Sequence, residues 1–282
     1  MVTLIYMFLA FAVSVGAGVL GALLGLGGGV FLVPILIFLL GVPTRMAIGA
    51  SIVAVVATSS AAAATYVRDE LTNMRLGMFL ELATTVGAIT GAFTAHLVSE
   101  SVLQVVFGII LLYASYAMFR GMLIERNWHP ALNDSLATKL KLNGRYHDDA
   151  EHRDVSYGVA RIPATFGISY LAGMISGLLG IGGGAIKVPA MNSVSKVPIK
   201  VAVATSSFMI GVTAAASAVV YFNHQNIHAF TTAPVVLGVL IGASLGARLT
   251  NRIEGTILKK MFVVVLLILA AKLILTGMGV TL

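Results

Sequence analysis

An all-α, polytopic membrane fold made of two related halves is predicted by three observations. The chain is 58% hydrophobic and only 10% charged. Eight apolar runs are long enough to cross a bilayer. A glycine-rich motif returns 155 residues later in unbroken register (180 − 25 = 155).

A soluble domain carries about 25% charged residues, so a chain with 10% and a mean hydropathy of +0.98 has too few charges to coat a water-facing surface. Lipid therefore covers most of its exterior, and the bilayer is its first partner. The absence of cysteine excludes disulfides and thiol chemistry. The net charge of +7 would suggest nucleic-acid binding in a soluble protein. Here the basic residues fall mainly between apolar runs, where the positive-inside rule places them, and nucleic acid is not expected.

A transmembrane helix needs about 20 apolar residues at 1.5 Å rise each. The first run, 3–24, has no Lys or Arg before it and so lacks the charged start of a signal peptide. It reads as the first membrane helix. Runs 46–67, 76–98 and 102–119 complete the first half; 158–179, 201–222, 231–249 and 257–276 form the second. Two further segments, 30–40 and 185–194, are only about 10 residues each, roughly 15–17 Å against a core of about 30 Å. Each follows three glycines, and each is expected to be a broken or re-entrant helix. The predicted organisation is a membrane repeat over 1–120, a loop over 121–157 and a second repeat over 158–282.

The repeat rests on GALLGLGGGVFLVP (residues 21–34) against SGLLGIGGGAIKVP (residues 176–189). The same offset pairs Val42-Pro43 with Val197-Pro198, Ser51 with Ser206, Thr58 with Thr213, Tyr66 with Tyr221, Gly87 with Gly242, Gly91 with Gly246 and Phe107 with Phe262. Chance likeness between apolar helices would not keep register on glycine and proline over some 90 residues.

Lys and Arg set orientation. The polar segment 120–157 carries Arg120, Arg126, Lys139, Lys141, Arg145 and Arg153 and reads as cytoplasmic. The loop at Ser99–Ser101 has no cation, and the one before it has Arg68 and Arg75. Residues 223–228 have none, whereas 248–260 hold Arg248, Arg252, Lys259 and Lys260. Equivalent loops thus differ in basic content, so the two halves are expected to be inverted repeats, with both termini outside the cytoplasm and the chain in the inner membrane. Arg45 lies on the outer side and runs against this scheme.

Inverted repeats with matching breaks are the architecture of many secondary transporters, whose substrate sits near the midplane. Gly27, Gly28, Gly29, Gly182, Gly183 and Gly184 would let backbone N–H groups approach an anion without side-chain hindrance; the alternative is that they serve close helix packing. A GLGGG sequence after a membrane helix is not a dinucleotide loop, which needs a preceding strand, and no cofactor is implied. Lys187 stands where the first half has Leu32. A lysine at such depth either faces a polar cavity as an anion ligand or snorkels to an interface. Ser51 and Ser206 could donate to an oxyanion, as could Thr58, Ser59, Ser60, Thr205, Ser207 and Thr213, although membrane-helix hydroxyls often bond their own i−4 carbonyl. Glu81, the acid well within an apolar run, is the proton-coupling candidate, and Val236 holds its place in the second half.

The remaining candidates are weaker. His224 and His228 are four apart but lack a third ligand, and the run from His147 to His152 reads as a solvated loop of mixed charge, so no metal site is predicted. Gly87-x-x-x-Gly91 and Gly242-x-x-x-Gly246 read as helix-packing faces.

At the doubled G-x-L-G-x-GGG-x-x-x-x-P pattern, with the following V-P-x-[RK] and the Ser/Thr-rich helix, the chain resembles the sulfite exporter TauE/SafE family of bacterial membrane proteins. The second copy begins with Ser176 where glycine is usual, and Lys187 lies outside the pattern. The resemblance implies transport of small anions, notably sulfite and organosulfonates, by a secondary carrier and not an enzyme. A passive anion channel and a membrane anchor or assembly subunit are the alternatives.

Overall fold

A computed structural model describes residues 2–95, 97–124, 134–149, 152–250, 252–253 and 255–278. Glu125, Arg126 and Glu151 of the linker lie outside them. The first half comprises α1 (Val2–Leu23), the short α2 (Gly29–Phe38), α3 (Thr44–Arg68), α4 (Met74–Ala95) and α5 (Glu100–Ile124). The linker contributes α6 (Ser135–Lys139), β1 (Gly144–Asp148) and β2 (Arg153–Tyr157). The second half repeats the first with α7 (Ile162–Leu179), the short α8 (Gly184–Pro189) running into a π-turn at Ala190–Val194, α9 (Ile199–Asn223), α10 (Ala229–Thr250) and α11 (Gly255–Gly277).

All eight expected spans are helices. Among the described residues, five stretches are long and apolar enough to cross a membrane: α3, α4, α7, α9 and Ala229–Leu249 of α10. The 22, 25 and 23 residues of α1, α5 and α11 give them comparable reach. Proline fixes where two of the helices begin. Pro43 and Pro198 adopt φ −53° with ψ 140° and 142°, so each caps its helix from an extended conformation, one residue before Thr44 and Ile199. The short segments are indeed short: α2 has 10 residues, and α8 with its π-turn has 6 + 5 = 11. Neither reaches across a hydrocarbon core of about 30 Å.

Helix pairing respects the repeat. α1 packs along α10 and α7 along α4; α5 packs along α11, α3 crosses α9, α3 also meets α10, and α9 meets α4. Exchanging the halves maps every one of these pairs onto itself or onto another of them. The two halves therefore interleave. In lipid there is little hydrophobic drive between helices, so contact comes from small residues that let backbones approach. Gly87 and Gly91 of α4 lie against the backbone of Tyr170 and Met174, and Gly173 and Gly177 of α7 against Thr84 and Ala88. On the equivalent pair, Gly242 and Gly246 meet the Val15 and Val19 carbonyls.

The linker departs from the all-α expectation and from its reading as a solvated loop. β1 and β2 form an antiparallel hairpin with Asp148 opposite Arg153. The hairpin is docked on both halves. Asp148 is 4% exposed and accepts from Lys200 Nζ at 2.7 Å, at the start of α9. Asn73, which caps α4 through its Oδ1, donates its side-chain amide to the Leu142 carbonyl and the Tyr157 hydroxyl. His147 remains exposed and pairs with Asp154 at 2.7 Å. Arg45, the residue against the charge scheme, is partly buried and donates to the Val98 carbonyl at 3.1 Å.

Candidate functional site

The two glycine breaks meet each other. After α1, Gly25 (φ +67°) closes the helix with a Schellman motif: its N–H donates to the Ala22 carbonyl and Leu26 N–H to that of Gly21. Gly27 and Gly28 stay left-handed at φ +73° and +78° before α2 begins. Gly180, Gly182 and Gly183 are likewise left-handed at +70°, +73° and +74°, and Gly180 N–H closes α7 on the Ser176 carbonyl. Such φ values are open to glycine at little cost. Gly29 and Gly184 have a different reason. A Cβ on Gly29 would lie 2.6 Å from the Gly180 carbonyl oxygen, and one on Gly184 would collide with that of Gly25. Each break is thus the floor of the other.

Ser51 and Ser206 brace this junction. Ser51 Oγ donates to the Gly180 carbonyl at 2.9 Å and Ser206 Oγ to the Gly25 carbonyl at 3.0 Å, each tying its half to the opposite break. Other hydroxyls serve locally: Thr58 bonds the Ala54 carbonyl, Ser59 and Ser60 that of Val56. Thr205 accepts the Asn73 N–H, and Ser207 Oγ is buried without a partner.

Beside Gly183 the symmetry fails. Lys187 is 1% exposed, so its ammonium does not snorkel to an aqueous surface. Its stem passes Gly183, where a Cβ would come within 3.1 Å of Lys187 Cε. Nζ donates to Thr213 Oγ1 at 3.2 Å, and Thr213 Oγ1 donates to Glu81 Oε1 at 2.8 Å. Thr85 adds a second donor to Oε1 at 3.0 Å, and Thr84 Oγ1 stands 3.4 Å from the Thr213 hydroxyl. Lysine from α8, threonine from α9 and glutamate from α4 thereby converge in one buried relay.

Both ends of that relay have unused capacity. Thr213 is the hydrogen-bond partner of Nζ among the described residues, so two of the three ammonium donors are unspent. Glu81 Oε2 is buried with no partner. The repeat partners of Lys187, Thr213 and Glu81 are Leu32 and Thr58 of the first half and Val236 of the second, and Thr58 turns back to its own helix. One site is charged and its counterpart is apolar. Four charged side chains are buried among the described residues, and they form two couples: Lys200 with Asp148 at the hairpin, and Lys187 with Glu81 at the break.

The sequence singled out Lys187 and Glu81 separately; the structure joins them. It also brings Gly183 to the lysine, while Ser51, Ser206, Gly29 and Gly184 belong to the contact between the breaks, Gly27 and Gly182 face Ile210 and Val55, and Gly28 faces Thr58. Thr213 is among the candidate hydroxyls of the sequence, whereas no pattern there singles out Thr84 and Thr85. The signal for Thr213 is that it is the repeat partner of Thr58 and lies on the helix after the break.

The sequence model described as sulfite exporter TauE/SafE matches residues 10–273. The chain is similar to the "Probable membrane transporter protein YunE" of Bacillus subtilis (strain 168), at 28% identity over 269 residues, covering 93% of this chain and 94% of that one. It is 26% identical over 250 residues to a "Probable membrane transporter protein" of Xylella fastidiosa (strain 9a5c), covering 86% of each chain. With the "Probable membrane transporter protein MJ0441" of Methanocaldococcus jannaschii it shares 24% over 253 residues, 84% of each. No solved structure matches the chain.

Proposed function

The chain belongs to the sulfite exporter TauE/SafE family of membrane transporters, and from that premise we propose that it is a secondary carrier exporting a small oxyanion, sulfite or an organosulfonate, across the inner membrane. One observation carries the reading: a buried ammonium with unspent donors at a glycine break. A lysine in that setting costs on the order of 3 kcal/mol or more unless it faces polar partners, and an oxyanion supplies what Thr213 alone does not. Charge-assisted bonds from Lys187 would hold the anion, with Gly183 keeping side-chain bulk away from the lysine stem. The paired breaks supply the pivot of alternating access, since Ser51 and Ser206 link each half to the other at that level.

The test is counterflow. Proteoliposomes holding the purified chain are loaded with unlabelled sulfite and diluted into labelled sulfite. A carrier gives transient, saturable accumulation of label. Linear flux without accumulation would indicate a channel, and no flux above empty liposomes would indicate an anchoring subunit; either overturns the proposal.

Inversion of the halves is part of the same reading, supported by the alternating basic loops and by five membrane segments per half, an odd number. The chain has no native cysteine, so labelling is clean. His147 and Gln225 both lie at exposed positions. His147→Cys and Gln225→Cys should react with an impermeant maleimide from opposite sides of the membrane, His147 from the cytoplasm. Labelling of both from one side would remove the inversion.

A further inference from the structure

Anion transport through Lys187 requires that its buried counter-charge go somewhere, and this inference rests on that reading of the site. In the structure the Lys187 ammonium is balanced by the Glu81 carboxylate through Thr213, at 3.2 and 2.8 Å. A singly charged anion arriving at Nζ would make the buried group Lys⁺, anion⁻ and Glu⁻, with a net charge of −1. Water does not screen that charge in a low-dielectric interior. Glu81 Oε2, buried and unpartnered, is where a proton restores neutrality. Other charges do not offer an alternative. From α8, Lys187 is the charged group facing Glu81; α9 presents Thr213 there. α7 meets α4 through Gly173 at Thr84, and its titratable Tyr170 touches α4 by its carbonyl at Gly87.

We propose that this chain is an electroneutral anion–proton symporter, in which Glu81 takes up one proton for each monovalent anion bound at Lys187. The empty site, Lys⁺ with Glu⁻, and the loaded site, Lys⁺ with anion⁻ and protonated Glu, are both neutral. Only these two can rearrange within the membrane without burying net charge. The half-loaded states, anion alone or proton alone, carry −1 or +1 and stay open to one side. The proton moves from water to Oε2 on one face and leaves from Oε2 on the other; no bond other than this O–H forms or breaks. The apolar counterpart site, with Leu32 and Val236, has no group to take a proton, so a single charged site sets the stoichiometry. Direction follows the summed anion and proton gradients. Anion accumulating inside a cell would leave together with acid.

The probe is methanesulfonate, which stays singly charged at neutral pH and so carries no proton itself. Proteoliposomes containing the full chain and a lumenal pH dye receive external methanesulfonate at equal pH. The expected result is lumenal acidification at one proton per anion taken up, at a rate unaffected by clamping the membrane potential with potassium and valinomycin. An outside acid by about one pH unit should drive about tenfold accumulation. Glu81→Gln should lose both the acidification and the pH-driven accumulation, while methanesulfonate exchange at equal pH persists at a reduced rate. Uptake by the unaltered chain without acidification, or with a rate that follows the membrane potential, overturns the coupling and leaves the anion site standing. Absence of methanesulfonate counterflow by the unaltered chain overturns the anion reading and the coupling with it. The measurement on the unaltered chain decides the matter even if Glu81→Gln fails to fold.

Discussion

Replacing Lys187 by methionine is expected to lower anion affinity by about 10- to 100-fold, the equivalent of about 1.5–3 kcal/mol for a lost charge-assisted hydrogen bond. Methionine keeps most of the stem volume against Gly183 but removes the charge. The effect should fall on binding and not on assembly, because the first half already accommodates leucine at this position. Lys187→Arg should retain part of the affinity, since charge survives while the donor geometry changes. Ligand-dependent thermal stabilisation by sulfite, read over a concentration series, measures both. Unchanged affinity in the methionine variant would end the charge hypothesis.

A larger effect, on folding instead of binding, is expected at Gly184. Its Cβ position is occupied by the Gly25 carbonyl, which is backbone and cannot rotate aside. Gly184→Leu must push the two breaks apart, breaking the Ser206–Gly25 bond and the close approach of Gly29 to Gly180. The cost should exceed about 4 kcal/mol, the range reached by severe overpacking. Size exclusion of the solubilised variant should show aggregate or no recoverable monodisperse peak. Gly41 is the control: it is left-handed at φ +63° but has no atom within 4 Å of a Cβ. Gly41→Ala should cost only about 1–2 kcal/mol of backbone strain. A monodisperse, thermally normal Gly184→Leu protein would show that the breaks need not touch.

Much of the architecture was legible in the residues because its signals are local. Apolar runs gave the eight helices, and Pro43 and Pro198 marked where two of them start. Glycine triplets gave the breaks, since left-handed φ at Gly27, Gly28, Gly182 and Gly183 is what glycine alone adopts readily. The contact between the breaks was not legible. Nothing in the sequence says that Gly29 will rest on Gly180, or that the Ser51 hydroxyl will be spent on a carbonyl 129 positions away. The relay fell between these cases. Lys187 and Glu81 each stood out as a charge in an apolar run, yet their meeting depends on how α4 lies against α9, which brings Thr213 to Glu81 across 132 residues. The hairpin escaped notice because its strands have five residues each and its inward side chain at Asp148 is an acid. An aspartate in a polar stretch reads as solvent-facing until Lys200 is seen beside it.

A charged couple kept beside Gly183 for transport and not for the fold can be removed without loss of folding. The chain contains its own control, since the repeat partners of Lys187 and Glu81 are Leu32 and Val236. The double substitution Lys187→Leu with Glu81→Val rewrites the second site as a copy of the first, removing both buried charges together so that neither is left unpaired. Sulfite counterflow in proteoliposomes, on protein first shown to be monodisperse with a near-normal thermal midpoint, is the deciding measurement. A folded protein with counterflow reduced to that of empty liposomes is expected. Counterflow at the unaltered rate in that folded double variant would contradict a transport role for the couple.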